Sequence, residues 1–213
     1  STQSRSSAAS DVYKRQEFVT VAAEFCAFLE RAESMKRSTF VDTTLKILPL
    51  LYLKASMLPK CEMIGDESPE TYVTEEIYEV LRINLASILA EKDDYLEVFL
   101  PDMAYSDEPI KKNISEDLAD IYQDIKDFIF VFQLGLNETM NDSLAICQEN
   151  FGLLWGQKLV NTMRALHDVK YSPKARGEDE EEEEYEPENN EDCHCEDDDC
   201  HCHDHGCHCH DDE

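Results

Sequence analysis

The sequence predicts an all-α protein, in which a helical bundle of about five helices is followed by a disordered acidic tail rich in Cys and His. Over residues 17–171, apolar residues recur every three or four positions, which is the spacing of amphipathic helices. No segment of that region shows the strict alternation of a half-buried strand. Beyond residue 172, acidic residues dominate and little apolar surface is available for a core.

These changes in composition divide the chain into four segments. We predict a leader over residues 1–16, a helical domain over residues 17–171, a disordered acidic linker over residues 172–192 and a Cys/His-rich tail over residues 193–213. Residues 1–16 lack apolar periodicity and resemble translated adapter sequence. We therefore expect a non-native or disordered leader there and exclude it from the predicted fold.

The first two helices are predicted from their apolar spacing. A first helix is expected over about residues 17–35. Its apolar residues are Phe18, Val21, Ala22, Phe25, Phe28 and Leu29. A second helix is expected to begin at a Ser38 or Thr39 cap and to reach residue 58. Because proline lacks a backbone N–H, Pro49 should kink or split this helix.

The next two helices have clear start signals. Thr74 can cap the third helix, and Glu75 and Glu76 lie in its first turn, where the helix dipole favours acidic residues. The apolar face of this helix comprises Ile77, Val80, Leu81, Leu85 and Ile88. Ser115 is predicted to cap the fourth helix, whose apolar stripe spans four turns. That stripe comprises Leu118, Ile121, Tyr122, Ile125, Phe128, Ile129 and Phe132.

Two remaining segments predict weaker helices. Residues 95–100 are expected to form one or two helical turns between two loops. A fifth helix is predicted from near residue 141 to residue 166, with Gly152 and Gly156 weakening its middle. Trp155, the sole tryptophan, is expected in the core and not on a binding surface.

Charge and cysteine usage restrict the class of protein. The net charge is −29, and residues 177–213 contribute 19 acidic residues and no Lys or Arg. A field of this sign repels nucleic acid and anionic membranes, so neither is an expected partner. Cys26 and Cys147 lie on or beside apolar helix faces, which is typical of reduced cysteines. We therefore predict a reducing, cytoplasmic location.

Two segments resemble a known family. The segments SEDLADIYQDIKDF at residues 115–128 and WGQKLVNTMRALHDVKY at residues 155–171 are similar to signature segments of the bacterial family called domain of unknown function five-zero-six-three. With AAEFCAFLE and LLYLKASMLP, the resemblance covers about residues 17–171. It implies a helical bacterial domain and assigns no activity. The recurring positions, to which it gives no roles, are Asp117, Asp120, Tyr122, Asp124, Lys126, Trp155, Gly156, Arg164 and His167.

The last 21 residues have a high density of metal ligands. Residues 193–213 contain six of the nine Cys and six of the seven His, in three seven-residue units. The candidate ligands are Cys193, His194, Cys195, Cys200, His201, Cys202, His203, His205, Cys207, His208, Cys209 and His210. Thiolates and imidazoles are preferred ligands of zinc, nickel and copper. We therefore predict binding of about one to three ions, Zn²⁺ or Ni²⁺ first and Cu⁺ second.

The composition of this tail leaves three interpretations open. Its Cys-x-Cys pairs resemble those of metallothioneins, and the whole tail is similar to the His/Cys-rich tails of nickel-delivery chaperones. That resemblance implies delivery, storage or sensing of metal by a flexible segment. The second interpretation is a low-complexity extension without a metal role. The third is disulfide formation, which short strained rings and a reducing compartment disfavour.

Acidic residues in the helical domain suggest a different chemistry. The pattern of Glu75, Glu76 and Glu79, together with Asp117 and Asp120, resembles the magnesium-binding helices of all-α nucleoside triphosphate pyrophosphohydrolases, whose cofactor is Mg²⁺. At about 100° per residue, Glu75 and Glu79 point away from the apolar face of their helix. We therefore expect those two glutamates in solvent.

Aspartates of the predicted fourth helix cluster beside its apolar stripe. Asp117, Asp120, Asp124 and Asp127 fall within an arc of about 80°. The charge pattern favours a solvent-exposed edge, and the alternative is the rim of a groove. His167 is interpreted first as a hydrogen-bonded packing residue. In the alternative, it joins a groove made of Asp117, Asp120, Asp124, Arg164 and His167.

These patterns favour metal handling or a metal-dependent protein interaction. In this hypothesis the helical domain binds a protein partner and the tail binds a divalent metal ion. No catalytic residue is assigned, and a non-enzymatic role is favoured. One alternative is a Mg²⁺-dependent enzyme similar to nucleotide pyrophosphohydrolases. The other is a plain protein-interaction module with an incidental tail.

Overall fold

The computed structural model describes residues 2–97 and 110–172 and confirms the all-α class. The helices are α1 (Thr2–Glu30), α2 (Arg37–Ser56), α3 (Glu75–Leu89), α4 (Ile114–Leu134), α5 (Asn137–Asn150) and α6 (Gly156–Tyr171). A π-helical turn, Phe151–Trp155, joins α5 to α6 without a break, so the bundle has five rods. The predicted acidic linker and Cys/His-rich tail lie outside the described residues, except for Ser172.

Helix α4 is the central rod of the bundle. It packs against α1, α3, α5 and α6, while α2 packs against α1 and α6. Trp155, expected in the core, is 1% exposed. Within the described residues, no helix combines the length and the apolar character needed to cross a membrane.

Helix α1 begins earlier than the sequence indicates. It starts at Thr2, although the apolar pattern predicts a start near residue 17 and a leader before it. The buried part begins at Phe18, and Ala22 and Phe25 follow it into the core. None of residues 9–16 is buried, and Val12 and Tyr13 are exposed, so this part of α1 carries no burial pattern from which a helix could be predicted.

Helix α2 continues through its proline. Pro49 lies inside the helix, so the predicted break at this residue is wrong. The predicted Ser38 or Thr39 cap is also wrong, since the helix begins at Arg37 and has no side-chain cap hydrogen bond. Burial of Leu48 and Leu51 on either side of the proline offsets the hydrogen bond that the proline cannot donate.

The start of α3 is as predicted. The hydroxyl of Thr74 accepts a hydrogen bond from the backbone N–H of Ile77, which confirms this residue as the cap. The buried face consists of Leu81, Leu85 and Leu89. Val80 is 56% exposed, so its placement on the apolar face is wrong.

A short antiparallel sheet precedes α4. It pairs β1 (Asp94–Leu96) with β2 (Lys111–Asn113), and Tyr95 lies opposite Lys112. The helical turn predicted to start at residue 95 is therefore wrong for residues 95 and 96. A strand of three residues is too short to show the period-two pattern from which strands are predicted.

The N-terminus of α4 is capped by a residue that is distant in the sequence. Ser115 is not the cap, because it lies inside the first turn and is fully buried. Its N–H and its hydroxyl both donate to the carboxylate of Asp93, each over 2.7 Å. The N–H of Ile114 donates to the Asp93 carbonyl. Asp93 thus fulfils the capping role that is predicted for Ser115.

The weak middle of the predicted fifth helix is the π-helical turn. Gly156 ends this turn, and a Cβ there would lie 2.3 Å from the carbonyl oxygen of Phe151. The turn also brings the Phe151 and Trp155 rings to a centroid distance of 4.7 Å. Glycine at position 156 therefore permits the close backbone packing of the π-helical turn.

Candidate functional site

The aspartates of α4 are covered by neighbouring elements. Asp117 is 3% exposed, and Asp120, Asp124 and Asp127 are half-buried. The favoured interpretation of a solvent-exposed edge is therefore wrong. Because α4 is surrounded by α3, α5 and α6, the positions that flank its apolar stripe are covered as well.

A lysine of α6 forms ion pairs with the first two aspartates. The ammonium of Lys158 is hydrogen-bonded to Asp120 and lies 3.9 Å from an Asp117 oxygen. Burial opposes its charge, but the hydrogen bond with Asp120 and the nearby carboxylates together raise the pKa of Lys158. The hydroxyls of Tyr78 and Tyr95 donate to Asp120 and Asp117. Lys158 therefore stays charged and is committed to this pair of carboxylates.

Asp124 has a neutral hydrogen-bond donor. The side-chain amide of Asn150 donates to its carboxylate over 2.5 Å. Burial raises the pKa of Asp124, the charges of Asp127 and Asp120 raise it further, and the Asn150 hydrogen bond opposes these effects. Asp124 is therefore a half-buried acid that its neighbours stabilise poorly in the ionised form.

Two carboxylates fix the loop between α2 and α3. Asp127 accepts the backbone N–H groups of Tyr72 and Val73 over 2.7 and 2.8 Å. Asp142 of α5 accepts those of Ile64 and Gly65 over 2.6 and 2.8 Å. Residues 66–71 are thereby held as a bridge across one side of α4 and α5, and we call them the bridging loop.

A cavity of about 480 Å³ lies under the bridging loop. Its acidic wall comprises Asp120, Asp124, Asp127 and Glu70. Its apolar wall comprises Phe128, Val131, Ile146, Leu154 and Trp155. The indole N–H of Trp155 donates to the carbonyl of Cys147 over 3.0 Å, which fixes the ring in this wall. The cavity lining therefore combines carboxylates with apolar side chains.

Arg164 and His167 lie away from this cavity, so the predicted groove that unites them with the aspartates is wrong. At about 100° per residue, His167 lies about 180° around α6 from Lys158. The Arg164 and His167 side chains are exposed and border a separate cavity between α6 and α2. The His167 ring contacts that of Tyr171 at a centroid distance of 4.6 Å.

The acidic start of α3 also lies outside the cavity lining. Glu75 is exposed, as predicted, and so is Glu76, whereas Glu79, also predicted to lie in solvent, is half-buried and pairs with Arg82 over 2.7 Å. Within residues 2–97 and 110–172, no group of three or more His, Cys, Asp or Glu side chains is placed to hold a metal ion. The twelve predicted ligands of the tail lie outside these residues.

Sequence reasoning missed Lys158, Asn150 and Tyr78, which complete the contacts of the aspartates. Lys158 bonds to an aspartate 38 positions away, and Tyr78 to the same aspartate from 42 positions away. A single helical pattern contains no signal for such contacts. The arc of aspartates on α4 was the one sequence feature that pointed to the cavity.

We expect Asp124→Asn to stabilise the protein at neutral pH. Folding raises the pKa of Asp124, so the protonated carboxyl of the wild type favours the folded state. This contribution to the stability of the wild type is lost as pH rises through the pKa of the folded state. The stability gained by the variant should therefore be absent at low pH, grow with rising pH and then level off. Urea unfolding of both proteins from pH 4 to pH 8 measures it. A difference that shrinks as pH rises would contradict this assignment.

Fold and site together define an all-α bundle with an acidic and apolar cavity beside its central helix. The chain belongs to the family described as Domain of unknown function (DUF5063), whose model matches residues 12–172. This confirms the family that the two sequence segments indicated, and the match starts a few residues before the predicted domain boundary at residue 17.

A solved structure is similar to the chain. The crystal structure of protein BF1032 from Bacteroides fragilis is 91% identical to it and has a TM-score of 0.69. The similarity covers 76% of this chain and 96% of that chain. No curated protein matches the sequence.

Proposed function

We propose that the protein binds transition metal ions through residues 193–213, for metal handling or for a metal-dependent interaction with a protein partner. The observation that carries this proposal is the twelve Cys and His side chains in that segment. Zn²⁺ and Ni²⁺ are the first candidates, and Cu⁺ is the next, because thiolate and imidazole ligands suit all three. Reduced thiols are required, which fits a cytoplasmic location.

The thiols of the helical domain are poor competitors for these ions. Cys26 and Cys147 are buried, and burial raises the pKa of both thiols. Cys61 is half-buried, burial also raises its pKa, and its thiol donates to the side chain of Asn141 over 2.9 Å. Because metals bind the thiolate form, soft metal ions should prefer the thiols of the tail.

An exposed apolar stripe on α2 supports a protein partner for the helical domain. Leu50 and Leu53 of α2 are 44% and 50% exposed, and Met57, the residue that follows the helix, is 42% exposed; the three lie three and four positions apart. Residues at this spacing share one face of a helix. Apolar side chains grouped in this way are typical of surfaces that bind other proteins.

We expect the reduced 213-residue chain to bind transition metals. A variant in which all six cysteines of residues 193–213 are changed to serine should lose most of this binding. Thiolates supply half of the candidate ligands, and serine does not replace them. Native mass spectrometry with added Zn²⁺, Ni²⁺ or Cu⁺ measures the number of ions bound.

The matched control is Cys61→Ser, which removes a thiol of the helical domain. It should leave the number of bound ions unchanged. Equal binding by the six-serine variant and the wild type would contradict the proposal. So would the absence of Zn, Ni and Cu from the reduced chain after metal addition.

A Mg²⁺-dependent nucleotide hydrolase is the second candidate, favoured by the half-buried aspartates that line one cavity. Its weakness is that Lys158 already occupies the position between Asp117 and Asp120 where a bridging cation would bind. A nucleotide-turnover assay with Mg²⁺ that compares the wild type with Asp120→Asn tests this candidate. Activity that is absent, or unaffected by the substitution, would remove it.

A further inference from the structure

We propose that the cavity between α4, the α5–α6 rod and the bridging loop binds a small organic cation with an apolar body, such as an alkyl- or arylalkylammonium ion. The residues that line this cavity do not include any of residues 193–213, so this proposal and the proposed metal binding can fail independently. Charge, wall composition, size and local backbone geometry all favour this class of ligand.

The charge of the cavity favours a cation. Asp120, Asp124, Asp127 and Glu70 line it, against the single ammonium of Lys158. Lys158 is committed to Asp120 and Asp117, and Asp127 is bound by two backbone N–H groups. Asp124 retains a neutral donor, Asn150, and Glu70 is exposed at the entrance. An ammonium group would supply Asp124 with a charged donor.

The apolar part of the lining favours an organic ligand over a metal ion. Phe128, Val131, Ile146, Leu154 and Trp155 form this wall and offer no oxygen ligand through their side chains. Mg²⁺ requires near-octahedral oxygen ligands, and within the described residues no three carboxylates converge to hold a metal ion. An aromatic or aliphatic group gains free energy by contact with the same surface. A nucleotide would be repelled by the four carboxylates.

Size and backbone geometry point to the same site. The volume of about 480 Å³ lies within the range of small-molecule sites, roughly 300–1,000 Å³. The π-helical turn contributes Leu154 and Trp155 to the wall, and such turns inside helices are frequent at functional sites. The Cys147 side chain, 2% exposed, also lines the cavity.

The sole tryptophan makes the site directly observable. Trp155 lines the cavity, so its fluorescence should report occupancy there and not ion binding along the acidic tail. The probe is phenethylamine, which is protonated at neutral pH, titrated into the reduced full-length chain with a chelator present. The neutral probe of the same shape is 2-phenylethanol.

We expect a saturable change in Trp155 fluorescence with phenethylamine and binding of 2-phenylethanol that is weaker by about tenfold or more. Asp124→Asn, which removes the charge and keeps the shape, should weaken phenethylamine binding about tenfold. Its matched control is Asp66→Asn, at an exposed aspartate of the bridging loop that does not line the cavity. The control should bind as the wild type does.

A second pair of variants keeps the test independent of the fold around Asp124. Glu70→Lys reverses a charge at the exposed entrance and should also weaken binding, whereas Glu67→Lys in the same loop should not. Equal affinity for the amine and the alcohol would overturn the proposal. Binding that is unchanged in both Asp124→Asn and Glu70→Lys would overturn it too, as would the absence of a saturable response in the wild type.

Discussion

The substitution Phe18→Ala is expected to lower the free energy of unfolding by about 3–5 kcal/mol, because it removes a fully buried ring and leaves a cavity. Phe18 docks α1 onto the central helix, and its ring centroid lies 5.5 Å from that of Phe128, which is 2% exposed. Urea unfolding monitored by circular dichroism measures the change.

The control for this substitution lies five residues earlier in the same helix. Tyr13 is 67% exposed, so Tyr13→Ala should change the stability by no more than about 0.5 kcal/mol. If both substitutions had equally small effects, α1 would not be packed on α4 as described.

Asp93→Ala is expected to destabilise the protein by about 2–3 kcal/mol. The carboxylate of Asp93 is the acceptor for the buried N–H and hydroxyl of Ser115, and the side-chain amide of Asn113 donates to it over 3.3 Å. Alanine would leave the two groups of Ser115 without this acceptor and the first turn of α4 uncapped. Thermal and urea unfolding measure the loss.

Asparagine at position 93 separates the effect of the capping hydrogen bonds on stability from the effect of the negative charge. Asp93→Asn keeps one acceptor oxygen and should cost about 1 kcal/mol, clearly less than alanine. The exposed carboxylate of Glu91, two residues earlier, provides a control, since Glu91→Ala removes a surface ion pair with Arg37. An effect of Asp93→Ala no larger than that of Glu91→Ala would contradict the capping role.

The parts of the fold that could be predicted depend on local signals. The apolar stripe of α4 is buried almost throughout, and Thr74 caps α3 through a contact within four residues of sequence. Helical spacing and caps of this kind act between neighbouring turns, so a single sequence contains them. The family resemblance rested on contiguous segments in the same way.

Contacts between distant segments account for the errors. Asp93 lies 22 positions before Ser115, so the nearer serine was mistaken for the cap. Within the cavity, the partners of the aspartates come from α3, α5, α6 and the segment before α3. Their burial follows from the central position of α4, which helical periodicity alone does not reveal. Arg164 and His167 were misplaced because the position of α6 against α4 could not be predicted.

The π-helical turn determines, to within a single residue, which side of α6 faces the core. It accommodates one residue more than a regular helical turn would, and Lys158 follows it by three positions. A deletion of one residue within Phe151–Trp155 would restore regular winding and leave the remainder of the rod nearly unrotated, whereas a deletion of one residue from the regular winding of α5 would rotate that remainder by about 100°. Lys158 would then leave its two aspartates, and a different side of α6 would meet the core. Outside the π-helical turn, insertions and deletions in this rod should therefore be tolerated far less than in the surface loops.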